Sequence, residues 1–170
     1  VTRAISTTPY AGDITFNAHS GEKTRTSLYG TEVHATRYQY GFAMTPERLR
    51  DPQRVLAVLD AIVGLGEVAG NHSRFLFDFS PESLVLRMTD DSAPRLLYCF
   101  QENEDSAVSA PELVRRIKAG DLDPGELYIG GPAAADDALA RVDGANRFAG
   151  VREAVNTCKQ ELARRLDIQG

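Results

Sequence analysis

An α+β fold of the ferredoxin-like class, in which helices pack on an antiparallel sheet, is predicted by three observations. Residues 38–44 alternate apolar and small or polar side chains, as a strand with one buried face does. An amphipathic stretch follows Asp51-Pro52 at helical spacing. Two short strand-like runs, at 74–79 and 84–88, come next. Strand, helix, strand, strand is the first half of such a domain, whose helices cover one sheet face and leave the other open to a ligand.

Residues 1–32 are polar and rich in Thr, Ser and Gly, with one candidate strand at 13–16. That is too long for an ordinary connector, so the segment reads as a protruding polar hairpin, an arm, or a stretch ordered by a partner. In the run at 38–44, Tyr38, Tyr40, Phe42 and Met44 share the buried face, and Thr45-Pro46 ends it. Asp51 suits a helix N-cap and Pro52 the first helical position. Val55, Leu56, Val58, Leu59, Ile62 and Val63 then form the apolar stripe, and Gly64, Gly66 and Gly70 loosen its far end. Residues 80–83 suit a tight turn, and residues 89–94 lead to another strand at 95–100.

Beyond this, residues 109–112 resemble a capping box opening a helix that stops at Gly120. A short strand is expected at 126–129, closed by Gly130-Gly131-Pro132. A last helix is expected over 146–166, with Phe148, Val151, Val155, Cys158, Leu162 and Leu166 on one stripe and Lys159, Arg164 and Arg165 towards its C-terminal end. The predicted organisation is a polar arm over residues 1–37, a βαββ core of RNA-recognition type over 38–105, and a mainly helical part over 106–170 packed on that core.

The 170 residues fit one domain, with 42 % apolar and 25 % charged residues, ordinary values for a globular protein. No run of about 18 apolar residues exists to span a membrane. The chain starts Val1-Thr2-Arg3, without Met or a signal core, which points to an excerpt of a longer protein. Cys99 and Cys158 stand far apart and outside any CxxC pair, so buried thiols in a reducing cytoplasm are expected, and neither a zinc site nor another cofactor is called for. Net charge is −5, against uniform coating of nucleic acid, yet the charge is uneven. Residues 1–54 hold seven Lys/Arg against five Asp/Glu, whereas residues 101–137 hold nine acids against Arg115, Arg116 and Lys118. An anionic partner should meet the first part of the chain and the acidic tract should face away.

The most suggestive segment runs through Gly64, Gly66 and Gly70 into Asn71, His72, Ser73 and Arg74. Glycines let backbone approach phosphates, and amide, hydroxyl and guanidinium groups hold phosphate oxygens. No GK[ST] follows, and the glycines end a helix, so it is neither a Walker loop nor a dinucleotide fingerprint. A helix C-cap with a polar loop explains the same residues. Between residues 17 and 38, Lys23, Arg25, His34 and Arg37 interleave with hydroxyl and aromatic groups, a mixture that suits single-stranded nucleic acid and equally an ordinary polar hairpin. His19, His34 and His72 form no HxxxH or HExxH pair. Asp90-Asp91 and Asp136-Asp137 lie beside turn and helix-start signals, and turn or capping roles explain them. No GxSxG elbow supports a nucleophile. No catalytic site is assembled by these patterns.

Four stretches carry a resemblance: Ile5 to Asp13 (ISTTPYAGD), Leu28 to His34 (LYGTEVH), Tyr38 to Met44 (YQYGFAM) and Val68 to Phe75 (VAGNHSRF). In this order, over roughly residues 5 to 100, they resemble the DevR-type backbone proteins of the RAMP superfamily in type I CRISPR systems. The family's opening strand and early RNA-binding loop have no counterpart here. The resemblance implies a non-catalytic subunit with an RNA-recognition-like core, arrayed in copies along the CRISPR guide RNA in a Cascade complex, in contact with a target DNA strand and other Cascade subunits. It implies that residues 13–40 are a thumb-like hairpin or its base, with Lys23, Arg25, His34 and Arg37 near RNA, and that Asn71, His72, Ser73 and Arg74 hold the guide backbone. Two other readings stand beside it. One is a metal-independent endoribonuclease using His19, His34 or His72 as base. The other is a regulator binding DNA or protein.

Overall fold

The computed structural model describes residues 1–18, 28–34, 36–65 and 79–168. The polar arm begins with β1 (Ile5–Ser6), β2 (Asp13–Ala18), β3 (Leu28–Val33) and β4 (Tyr38–Gln39). Strands β2 and β3 form an antiparallel ladder from Asp13 opposite Val33 to Ala18 opposite Leu28, and β1 pairs with β4 at the base. Ile14, Phe16 and Tyr29 are 64, 72 and 54 % exposed, so the hairpin projects away from the body with apolar side chains in solvent. The expected strand at 13–16 is therefore present and longer.

The alternating run after it is only half a strand. Pairing stops at Gln39, and Tyr38 and Tyr40 are exposed, while Phe42 and Met44 pack onto the core. A helical turn at Pro46–Arg48 precedes α1 (Arg54–Val63). Asp51 accepts from the Gln53 amide at 3.1 Å, and the Arg54 amide donates to the Asp51 carbonyl at 3.1 Å, so the Asp-Pro pair initiates a turn that leads into the helix. The stripe on α1 buries Val55, Leu56, Leu59 and Val63, with Val58 left outward. Residues 74–78 of the next expected strand lie outside the described residues.

The body is a three-stranded sheet in the order β5 (Leu84–Arg87), β8 (Leu127–Gly130) and β9 (Asn146–Phe148). Strand β5 runs antiparallel to β8, but β9 runs parallel to it, so the sheet is mixed. A parallel neighbour needs a crossover, and residues 131–145 supply one through a helical turn at Pro132–Ala135 and the short α3 (Asp137–Ala140). The last helix, α4 (Val151–Leu166), accordingly starts five residues later than its stripe suggested, and Phe148 reaches the same cluster from β9. Residues 95–98 are a turn in place of the expected strand at 95–100, and the strand comes afterwards as β6 (Gln101–Glu102), paired with β7 (Val108–Ser109). Helix α2 (Pro111–Lys118) is capped at Ala110, whose methyl can accept no hydrogen bond, and Glu112 binds Arg115 and Arg116, so the expected capping box does not form. Gly120 ends it at φ 77°.

Both faces of β8 are covered, which replaces the expected open face. Leu127 and Ile129 are fully buried with Leu113, Val114 and Leu139 on one side. Tyr128 packs with Leu59, Val155 and Cys158 on the other. Each such fully buried side chain contributes about 1.5–3 kcal/mol of transfer free energy. Helix α4 comes so close to β8 that a Cβ on Gly130 would meet Ala154 Cβ at 2.8 Å. Cys99 and Cys158 are both buried thiols, pushed up to about 11 by burial. The α+β composition, with small sheets and four α-helices among the described residues, is compatible with the ferredoxin-like class. Among the described residues no helix is long and apolar enough to cross a membrane.

Hydrogen bonds from a backbone amide and from arginines hold three carboxyls down at about 2. Asp91 accepts first from the Ala93 amide, then from Arg95 and Arg87; Glu112 accepts from Arg115 and Arg116, and Glu161 from Arg164 and Arg165. A carboxyl whose folded value is depressed adds stability above its unfolded value and loses it on acidification. The melting temperature should thus stay level above about pH 5 and fall from the ordinary 3.8–4.5 range down to about 2. The Glu112 and Glu161 pairs lie at the surface, so molar salt should shrink their share of the drop in a thermal-denaturation series, whereas the Asp91 share, set first by the Ala93 amide and by an Arg87 side chain only 8 % exposed, should persist.

Candidate nucleic-acid interface

The base of the hairpin is stitched to the body through Arg37. Its Nε donates to Glu82 Oε2 at 2.6 Å and its Nη2 to Glu82 Oε1 at 3.3 Å, while Nη1 donates to Glu102 Oε1 at 2.7 Å. Glu102 also accepts from the Thr7 hydroxyl at 2.7 Å, and the Thr7 amide donates to the Arg37 carbonyl at 2.9 Å. The guanidinium therefore joins the return from β3 to β4 with the loop before β5 and with β6, and Thr7, just after β1, is tied in through Glu102 and the Arg37 carbonyl. Its pKa is raised, chiefly by the Glu82 hydrogen bond. That of Glu102 is lowered, first by the Thr7 hydroxyl and then by Arg37.

His34 follows β3 and is half-buried. Its ring lies 4.8 Å from that of Tyr10 at 46°, and its buried Nδ1 makes no hydrogen bond. Tyr10 donates to Glu32, which raises the tyrosine pKa. Tyr10 is 59 % exposed, as is Tyr38 at the same end of the arm. Rings in such positions offer faces to bases.

Of the eight residues singled out in the sequence, His34 and Arg37 fall among the described residues, in the same arm base. Lys23, Arg25, Asn71, His72, Ser73 and Arg74 lie outside them, as does His19. Glu82 stands in the loop that follows residues 66–78, so Arg37 is bonded to the chain just beyond the segment carrying Asn71 to Arg74. Sequence reading missed Glu82, Glu102, Thr7 and Tyr10. The first three carry no local signal, since their partners are 45, 65 and 30 residues away. Tyr10 carried one, an aromatic inside a polar arm.

The acidic tract has a different character. A shallow cleft of about 250 Å³ is lined by Glu82, Asn103, Ser106, Ser109 and Asp136 among others, and would repel phosphate. Asp136 caps α3 through the Leu139 amide at 3.2 Å and Asp91 closes a turn through the Ala93 amide at 2.9 Å, the structural roles that their positions suggested. Among the described residues no three His, Cys, Asp or Glu are grouped to hold a metal.

No protein-family model matches the chain. Over 140 residues, 77 % of its length, it is 51 % identical to a Myxococcus xanthus (strain DK1622) protein named CRISPR-associated protein Cas7/Cst2/DevR. It spans about half of that curated relative, 46 % of its length.

Proposed function

We propose that this chain, which belongs to the Cas7/Cst2/DevR family of CRISPR-associated proteins, is part of a non-catalytic subunit that binds guide RNA. In this reading copies of the subunit line up along the RNA in a type I interference (Cascade) complex in the cytoplasm, beside the target DNA strand and other subunits. The observation that carries it is the 51 % identity to a CRISPR-associated protein over 140 residues. The physical chemistry is consistent with it. The first 54 residues of an acidic chain carry seven Lys/Arg against five Asp/Glu, and the described part of the arm exposes Tyr10, Phe16 and Tyr29. Lys23, Arg25, His34 and Arg37 would meet phosphate from the arm, and Asn71, His72, Ser73 and Arg74 from the segment after α1. The arm (1–37), the core (38–105) and the mainly helical part (106–170) remain the proposed division of labour.

Incubating the complete subunit with single-stranded RNA tests this. Intact RNA should be retained on a filter, with affinity that falls steeply as salt rises and depends little on sequence. Cleavage products that vanish in His34→Ala would instead make the protein a ribonuclease. No retention at any salt would remove RNA from its partners.

A further inference from the structure

Arg37 is held by two carboxylates of unequal standing. The Glu102 side chain is 10 % exposed and is bound a second time by the Thr7 hydroxyl at 2.7 Å. The Glu82 side chain is 47 % exposed, and Arg37 is its only ion-pair partner among the described residues. The edge of the guanidinium that Glu82 occupies, Nε with Nη2, is the one that grips a phosphate in the same forked geometry. Two carboxylates on one guanidinium leave a local charge of −1, which repels an anion.

Resting on the RNA-binding reading above, we infer that Glu82 is an internal stand-in for phosphate, a latch that masks Arg37 until a nucleic-acid backbone displaces it. Glu102 keeps its bond and fixes the guanidinium in place. Glu82 swings into water, where its exposure makes the lost pair inexpensive. Its backbone stays put, because Gly131 packs directly on the Glu82 carbonyl. The release therefore frees a side chain and leaves the loop behind it standing.

Competition of this kind has a sign that ordinary contacts lack: removing the carboxylate should tighten binding. In the complete subunit, titrated with a fluorescein-labelled single-stranded oligoribonucleotide, Glu82→Gln should raise affinity about two- to fivefold. Glu47→Gln removes another exposed negative charge, from the turn before α1, and should leave affinity unchanged. In an Arg37→Gln background the Glu82→Gln gain should disappear. A gain no larger than that of Glu47→Gln, or one that persists without Arg37, would overturn the latch while leaving RNA binding intact. Absence of binding by the wild type would overturn both readings at once.

Discussion

Gly131→Ala is expected to lower the melting temperature by about 10 °C, from a loss of about 3–4 kcal/mol. Gly131 follows β8 with φ 86° and ψ −169°, a conformation open essentially to glycine alone. A Cβ there would lie 2.0 Å from the Glu82 carbonyl oxygen and 3.0 Å from Ser83 Cα. Backbone atoms are the obstacle, so no rotamer change relieves the overlap. The strand pair must move, and Leu84 pairs with Gly130 at that point. Gly120→Ala is the comparison without a clash: φ is 77° there, but nothing lies within 4 Å. Its cost should be the conformational penalty alone, about 1–2 kcal/mol. Equal losses in a circular-dichroism melt of both variants would show that the contact at Glu82 is not tight.

Local chemistry made much of this fold readable. Helical spacing marked α1 and the apolar stripe of α4, and Gly120 marked the end of α2, because amphipathic periodicity and glycine conformational freedom act within a few residues. The failures share a cause. Leu96, Leu97, Tyr98, Cys99 and Phe100 have strand composition, yet Tyr98 sits at φ 51° with its hydroxyl on the Arg3 carbonyl 95 residues away. Tertiary bonding overrode propensity at that residue. The parallel pairing of β8 with β9 was equally hidden, since a three-residue strand beside a long helix reads as part of the helix. At the candidate site the residue types near Arg37 were legible as a polar, cationic arm. That its guanidinium belongs to Glu82 and Glu102 was not, because ion pairs across 45 and 65 residues leave no periodicity behind.

Removing Lys23, Arg25 and Arg74 together, each to Ala, should weaken RNA binding by the complete subunit about 100-fold at moderate salt. It should also flatten the dependence of log affinity on log salt by about 2, roughly 0.7 for each phosphate contact on a single strand. The slope is the more discriminating readout. A variant that merely unfolds loses active protein at every salt concentration, whereas a lost phosphate contact changes how many counterions are released. Lys118→Ala, at the end of α2 within the acidic tract of residues 101–137, should change neither quantity. Arg37→Ala should behave unlike the other cations. Its charge is already neutralised by Glu82, and a displaced Glu82 exposes an anion as the phosphate arrives, so few counterions leave on balance. The affinity should fall while the slope stays near that of the wild type. Were Arg37→Ala to flatten the slope as much as a lost phosphate contact, the guanidinium would be an open anion seat, and its two carboxylates would count for nothing in binding.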